Sequence, residues 1–304
     1  MPPTSLAAPA HGVPLDRPAI VDSVLGWYAT HARPLPWREP QAGPWGVMVS
    51  EFMLQQTPVA RVLPAWTAWM ERWPSPAALA AEPVGEAVRA WGRLGYPRRA
   101  QRLHASATVI RDEYDGRVPD DVEALRALPG VGEYTAAAIA AFGHGRRTLV
   151  LDTNVRRVLA RIETGRAFAP DHLARAERER GQAWVPRAPD AAAAWAAASM
   201  ELGALVCTAE RPRCTDCPVR PHCAWFAAGR PAWDGAPRKG QTYAGTDRQC
   251  RGVLLAGLRE TEAAVPAAAL LARWPSDPAQ ARRALDSLLA DGLVRTDAAG
   301  NLRL

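Results

Sequence analysis

Residues 128–138 read "LPGVGEYTAAA", a short apolar turn with two glycines. The flanking stretches, "DDVEALRA" before it and "EYTAAAIAAF" overlapping its end, both carry helix formers, so "LPGVG" has to reverse the chain between two helices. Glycine adopts the backbone angles such a reversal needs. Lacking side chains, Gly130 and Gly132 also let the backbone approach a ligand, and the first N–H groups of the second helix have no internal partner and can donate to a phosphate. An αα-corner whose glycines serve packing alone has the same local sequence, and the stretch by itself leaves both open.

Outward from the hairpin the helical pattern continues. Alanine, leucine, tryptophan and arginine recur at three- and four-residue spacing, as in "VARVLPAWTAWMERW", while alternating β-branched runs are nearly absent, which predicts an all-α fold. The chain has 304 residues, 48% of them hydrophobic, enough for a substantial core. Its formal net charge of +6 is dominated by arginine and favours a polyanionic partner. Neither an apolar run of about 18 residues nor a basic start followed by an apolar segment is present, so a cytoplasmic protein without membrane contact is expected.

Composition divides the chain into a disordered lead at 1–17, a core at 18–227, a polar Gly/Pro-rich linker at 228–248 and a small module at 249–304. The module shows two helical patterns and a strand-turn-strand around "AAGN", a winged-helix-like combination that reads as an accessory whose removal leaves the core working.

Four of the five cysteines fall within "CTAERPRCTDCPVRPHC": Cys207, Cys214, Cys217 and Cys223, spaced C-x6-C-x2-C-x5-C. Disulfides are disfavoured without a secretion signal. Four thiolates so close suit one soft metal centre, zinc or iron–sulfur, and the spacing alone does not choose between them. Cys250 stands apart and reads as an ordinary thiol.

A helix–hairpin–helix of form LPGVG, the aspartate in "VLDTNVRRVLAR" and the closing four-cysteine pattern together resemble the endonuclease III family of DNA glycosylases over about residues 18–226. The resemblance implies a [4Fe–4S] cluster on Cys207, Cys214, Cys217 and Cys223, and DNA-backbone contacts from Leu128, Gly130, Val131 and Gly132. Within that family, "LPWR" at 35–38, "SEFMLQQT" at 50–57 and "GRLGYPRRAQRLH" at 92–104 look like MutY-type adenine glycosylases. Bifunctional members carry a lysine where Tyr134 stands and form a Schiff base with it; a phenol cannot, which argues for a monofunctional enzyme.

The chemistry follows from the substrate. Adenine leaves poorly as an anion, so a proton must reach its ring, most accessibly at N7. Glu51 matches the family's acid, and its apolar neighbours would favour the protonated form. Asp152 matches the family's aspartate and would stabilise oxocarbenium charge on the sugar, although it is equally placed as a helix N-cap. Tyr134 and Asn154 are implied to position the sugar or water, and Trp37 and Arg38 to line the adenine pocket. Gln55, Gln56 and Tyr96 are implied to fill the hole left by the flipped base.

Departures are also visible: Thr153 stands where glycine is usual, Pro97 replaces a second tyrosine, and Ala197 stands where a polar pocket residue is common. The residues after the linker are too few and too helical for the Nudix-like domain that MutY-type enzymes use to inspect 8-oxoguanine. The expectation is a monomeric, nucleoid-associated, monofunctional adenine glycosylase acting on double-stranded DNA with adenine opposite 8-oxoguanine or guanine. An endonuclease III-like lyase would want lysine at 134, and a non-catalytic iron–sulfur DNA-binding protein would not need Glu51 and Asp152.

Overall fold

The structure, a computed structural model, describes residues 15–233, 235 and 243–304. The lead at 1–17 therefore lies outside the described residues except for Leu15, Asp16 and Arg17, and Arg17 already opens a helix. The part of the 228–248 linker at 234 and 236–242 lies outside them as well. The fold is all-α: among the described residues the strands are the two-residue pair Arg295–Thr296 and Leu302–Arg303. No described helix is long and apolar enough to cross a membrane. The chain forms two compact units, one of Met1–Arg38, Asp120–Val122 and Gly132–Ala236, the other of Glu39–Pro119, Glu123–Val131 and Pro237–Leu304.

In the first unit the alanine-rich helix Pro189–Leu205 packs against Arg17–His31, Glu133–His144 and Thr153–Leu159. Ile20, Val21, Val24, Val155, Val158, Trp184, Trp195 and Leu202 form its core, with the Trp184 and Trp195 rings stacked 5.8 Å apart. Small residues allow the close approach: a Cβ at Gly203 would stand 2.7 Å from the Asn154 Cβ. Glu133–His144 stops at Gly145, whose φ of 65° serves as a left-handed C-cap.

In the second unit helix Val59–Arg72 sets Val62, Trp66 and Trp69 on one buried face at i, i+4, i+7. Trp69 meets Trp73 and Trp91 edge-on at 4.6 and 5.6 Å, each buried aromatic contributing about 1.5–3 kcal/mol by leaving water. The Trp45 and Trp66 indoles donate to the carbonyls of Trp73 (3.0 Å) and Gly46 (2.8 Å).

The same unit holds the C-terminal helices Asp247–Arg259, Ala267–Leu271 and Pro278–Ala290 and the strand pair, with Val265 bridging to Leu302. Arg89 donates to the carbonyls of Leu258, Arg259 and Thr261 at 2.7–3.0 Å, and Arg259 returns a bond to the Val88 carbonyl at 3.0 Å. Gln101 donates to the Asp291 carbonyl, and the Asp291 carboxylate pairs with Arg98 and Arg251. The carbonyl of Leu304 would stand 2.8 Å from a Cβ at Gly85. Dispensability of 249–304 does not fit this anchoring, because removal strips Arg89 of three carbonyls and uncovers Gly85.

Candidate functional site

Glu51 lies in helix Gly43–Leu54, where Met48, Val49, Phe52 and Met53 are fully buried. It is itself only 7% exposed, so it does not sit on a solvated helix face. The helix ends at Gln55, and Gln56 follows in the left-handed region at φ 56°. Tyr96, on a separate loop of this unit, is also left-handed at φ 46°, and 38% exposed. Non-glycine residues adopt that conformation at a cost of about 1–3 kcal/mol and keep it only where neighbours enforce it.

Arg99 is the enforcing neighbour. Its buried guanidinium donates to the carbonyls of Phe52 (2.8 Å), Met53 (3.0 Å), Gln55 (2.6 Å) and Gly95 (3.0 Å), and to the Thr57 hydroxyl at 3.0 Å. It thus ties the loop carrying Gln55 and Gln56 to the loop carrying Tyr96. Burial pushes the Arg99 pKa down to about 10, which still leaves it charged at neutral pH.

The hairpin divides its glycines by task. Gly130 has φ 82°, and a Cβ there would stand 2.7 Å from the Arg102 Cβ and 3.1 Å from the Phe52 ring, so packing demands glycine. Leu128 and Val131 are buried, and Ser106 donates to the Pro129 carbonyl at 2.7 Å. Gly132, the N-cap of helix Glu133–His144, has φ −91°, no side-chain cap, and open space where a Cβ would go. Gly130→Ala is therefore expected to destabilise the fold by at least about 1–3 kcal/mol, whereas Gly132→Ala should shift stability by under about 1 kcal/mol yet weaken DNA binding. Thermal unfolding and DNA titration of both variants check this; unchanged DNA affinity for Gly132→Ala would take that glycine out of the DNA contact.

Asp152 caps helix Thr153–Leu159. It accepts from the Val155 amide at 2.6 Å and from the Asn154 side-chain amide at 2.7 Å, so the cap and the pairing with Asn154 coexist. Burial pushes its carboxyl pKa up, against the pull of those bonds and of Arg157. Arg157 donates to the Asn154 side-chain oxygen at 2.9 Å and to the carbonyls of Gly203 and Cys207. In the same unit Tyr134 packs beside Ala137, Ala138, Ala141, Val150 and Ala196.

Trp37 is buried in the turn Pro36–Arg38, and Arg38 meets a partner that the sequence did not suggest. Glu201, fully buried, accepts from Arg38 at 2.8 Å and from Arg33 through Nε, Nη2 and the backbone amide at 2.7–3.0 Å. A polar residue therefore stands four positions beyond Ala197; its signal was a lone glutamate inside an otherwise apolar stretch of helix, "AASMELGAL".

Burial raises the Glu201 pKa, but the hydrogen bonds from Arg33 and Arg38 outweigh it and hold the carboxyl at about 2. With the folded pKa below the ordinary 4.5, this stabilisation is full above about pH 4.5 and is lost as pH falls toward 2. Glu201→Gln should thus cost on the order of 3 kcal/mol at pH 7, with the gap to the parent closing toward pH 2 in denaturant titrations. A gap constant with pH would remove the ionised glutamate as the cause.

The four thiols of Cys207, Cys214, Cys217 and Cys223 line one pocket with Val158, Ile162, Leu202, Val206, Val219 and Trp225. Among the described residues no three side chains close on a single point as ligands of one ion would. Arg161, 1% exposed, donates to the Cys207 sulfur at 3.3 Å and to the carbonyls of Thr208 and Ala209, with its guanidinium 4.3 Å from the Trp225 ring centroid. Burial pushes the Cys217 thiol up to about 12 and raises Cys223 as well. Thiolates in this apolar pocket need a bound cationic centre, and the donor set fits an iron–sulfur cluster.

Residues 49–183 match the HhH-GPD superfamily of base excision DNA repair proteins. The chain is 52% identical over 282 residues to an adenine DNA glycosylase of Mycobacterium tuberculosis, covering 93% of this chain and 92% of that one. It is 40% identical over 211 residues to the human adenine DNA glycosylase, covering 66% of this chain and 38% of that one. The solved structure of a thermostable thymine-DNA glycosylase matches with a TM-score of 0.62 at 25% identity, over 70% of this chain and 97% of that one. Fold, hairpin and matches together define a helix–hairpin–helix DNA glycosylase. Within that superfamily the chain belongs to the MutY-type adenine DNA glycosylase family.

Proposed function

We propose that this protein excises adenine mispaired with 8-oxoguanine or guanine in double-stranded DNA, as a monofunctional, monomeric glycosylase of base excision repair, cytoplasmic and nucleoid-associated. The observation that carries the mechanism is the burial of Glu51 in the motif "SEFMLQQT". A carboxyl held there, shielded from bulk water, is placed to deliver a proton to adenine N7. The C1′–N9 bond then breaks with its electron pair leaving on the base, and water adds to C1′, giving its proton to a carboxylate.

Asp152 stabilises the oxocarbenium-like sugar, with the Val155 and Asn154 hydrogen bonds supporting the negative charge that burial opposes. Tyr134 and Asn154 position sugar and water, and Tyr134 offers no amine for a Schiff base. Trp37 and Arg38 line the adenine pocket, with Glu201 orienting the Arg38 guanidinium. Gln55, Gln56 and Tyr96 occupy the space the flipped base vacates, with Gln56 and Tyr96 in left-handed conformations on loops that Arg99 ties together. Leu128, Gly130, Val131 and Gly132 present backbone to a phosphate. Cys207, Cys214, Cys217 and Cys223 hold a [4Fe–4S] cluster, which supplies structural order to the 207–223 loop when bound.

Incubation with duplexes carrying adenine opposite 8-oxoguanine, adenine opposite guanine, and thymine glycol tests this reading. Adenine should be released from the first two, with strand breakage only after alkali. Action on thymine glycol, or scission without alkali, would overturn it.

A further inference from the structure

Helix Arg98–Glu113 turns one face toward the loops that carry the wedge residues and the hairpin. Arg99, Arg102 and Ser106 lie along that face at i, i+3 and i+7. Arg99 donates to the carbonyls of Gln55 and Gly95, and Ser106 donates to the Pro129 carbonyl at 2.7 Å. Arg102, between them, has no task in the proposed function. Its stem runs across the hairpin: a Cβ at Gly130 would stand 2.7 Å from the Arg102 Cβ and 2.9 Å from its Cδ. The missing side chain of Gly130 is what makes room for it.

Packing accounts for this stem but not for its charge, since a methionine would cover Gly130 as well. Arg102 is exposed, and among the described residues its guanidinium meets no carboxylate, carbonyl or aromatic ring. Its neighbours are engaged: Arg99 by backbone carbonyls, and Arg126, on the first helix of the hairpin, by Glu123 at 3.1 Å. The Gly130 amide likewise meets no acceptor among the described residues. A guanidinium and an amide N–H on one half-exposed turn, both without an acceptor, suit an oxygen anion, and the one that a duplex offers along its whole length is the phosphate.

We infer that Arg102 is a DNA-contact residue of the hairpin: its stem packs on Gly130, and its guanidinium donates to the backbone phosphate that the hairpin receives. The inference rests on the hairpin as a phosphate site in the proposed function. Contacts to phosphate fix register and add affinity without reading the base, so Arg102 serves mispaired and matched duplexes alike.

The test is equilibrium binding of full-length Glu51→Gln protein to a duplex with adenine opposite guanine and to its matched counterpart, over a range of salt concentrations. Adding Arg102→Met, which keeps an unbranched stem over Gly130 and removes the charge, should lower affinity for both duplexes by a similar factor, about three- to tenfold. It should make the log–log salt dependence shallower by about 0.9 and leave the melting temperature unchanged. Arg102→Lys should restore the slope, since it keeps the charge, but not the full affinity, since it loses the planar fork. Affinity and slope unchanged in Arg102→Met, with the parent still binding the mispair, would overturn the contact and leave the glycosylase reading standing. An affinity loss that comes with a lower melting temperature and an unchanged slope would reduce Arg102 to a packing residue. Loss confined to the mispaired duplex would overturn the phosphate assignment. A parent that binds neither duplex would remove the hairpin as a DNA site and the inference with it.

Discussion

Glu51→Gln is expected to bind mispaired duplex as the parent does and to release adenine roughly 10²- to 10⁴-fold more slowly in single-turnover experiments. The amide has nearly the same volume, so the packing around helix Gly43–Leu54, where Glu51 is 7% exposed, is conserved. What is lost is the transferable proton. An unchanged melting temperature with lost excision separates this chemical role from a packing role, and excision at the parental rate would take Glu51 out of the mechanism. Asp152→Asn would act differently, because Asp152 also caps its helix: that variant should lose both rate and some stability.

The second large effect concerns the four-thiol pocket. Purified protein should be brown, with visible thiolate-to-iron charge-transfer absorption, and Cys207, Cys214, Cys217 or Cys223 changed singly to Ser should lose most of the colour and iron. Stability should fall with them, because metal-site binding energy is also folding energy. The pocket's apolar lining includes Val158, Leu202, Val206 and Val219, which belong to the core of that unit, so an emptied site loosens the core itself. Cys250, buried on helix Asp247–Arg259, serves as the control, and Cys250→Ser should stay brown. Colourless protein with stoichiometric zinc would overturn the iron–sulfur assignment.

The arginines show where sequence reading stopped. In the sequence they read as one surplus of positive charge suited to a polyanion. In the structure Arg99, Arg157 and Arg161 are buried and bond backbone carbonyls. Nothing local separates them from solvated neighbours: Arg98 and Arg99 are adjacent, and one is exposed while the other clamps two loops. Glu201 was missed for a related reason, since its partners Arg33 and Arg38 are 168 and 163 residues away in the chain.

What the sequence determined by itself is what short-range chemistry dictates. The reversal at "LPGVG", the helical periodicity of "VARVLPAWTAWMERW", the four-cysteine spacing and the run "SEFMLQQT" each depend on residues within about one or two helical turns of each other. The tertiary structure alone decided which side chains became buried or half-buried hubs: Arg99 over the strained Gln56 and Tyr96, Arg161 over the cysteine loop, Glu201 between two arginines, and the half-buried Arg89 under the C-terminal module. The physical reason is that a guanidinium or carboxylate can leave water only where several fixed hydrogen-bonding partners converge, and here segments far apart in the chain supply them.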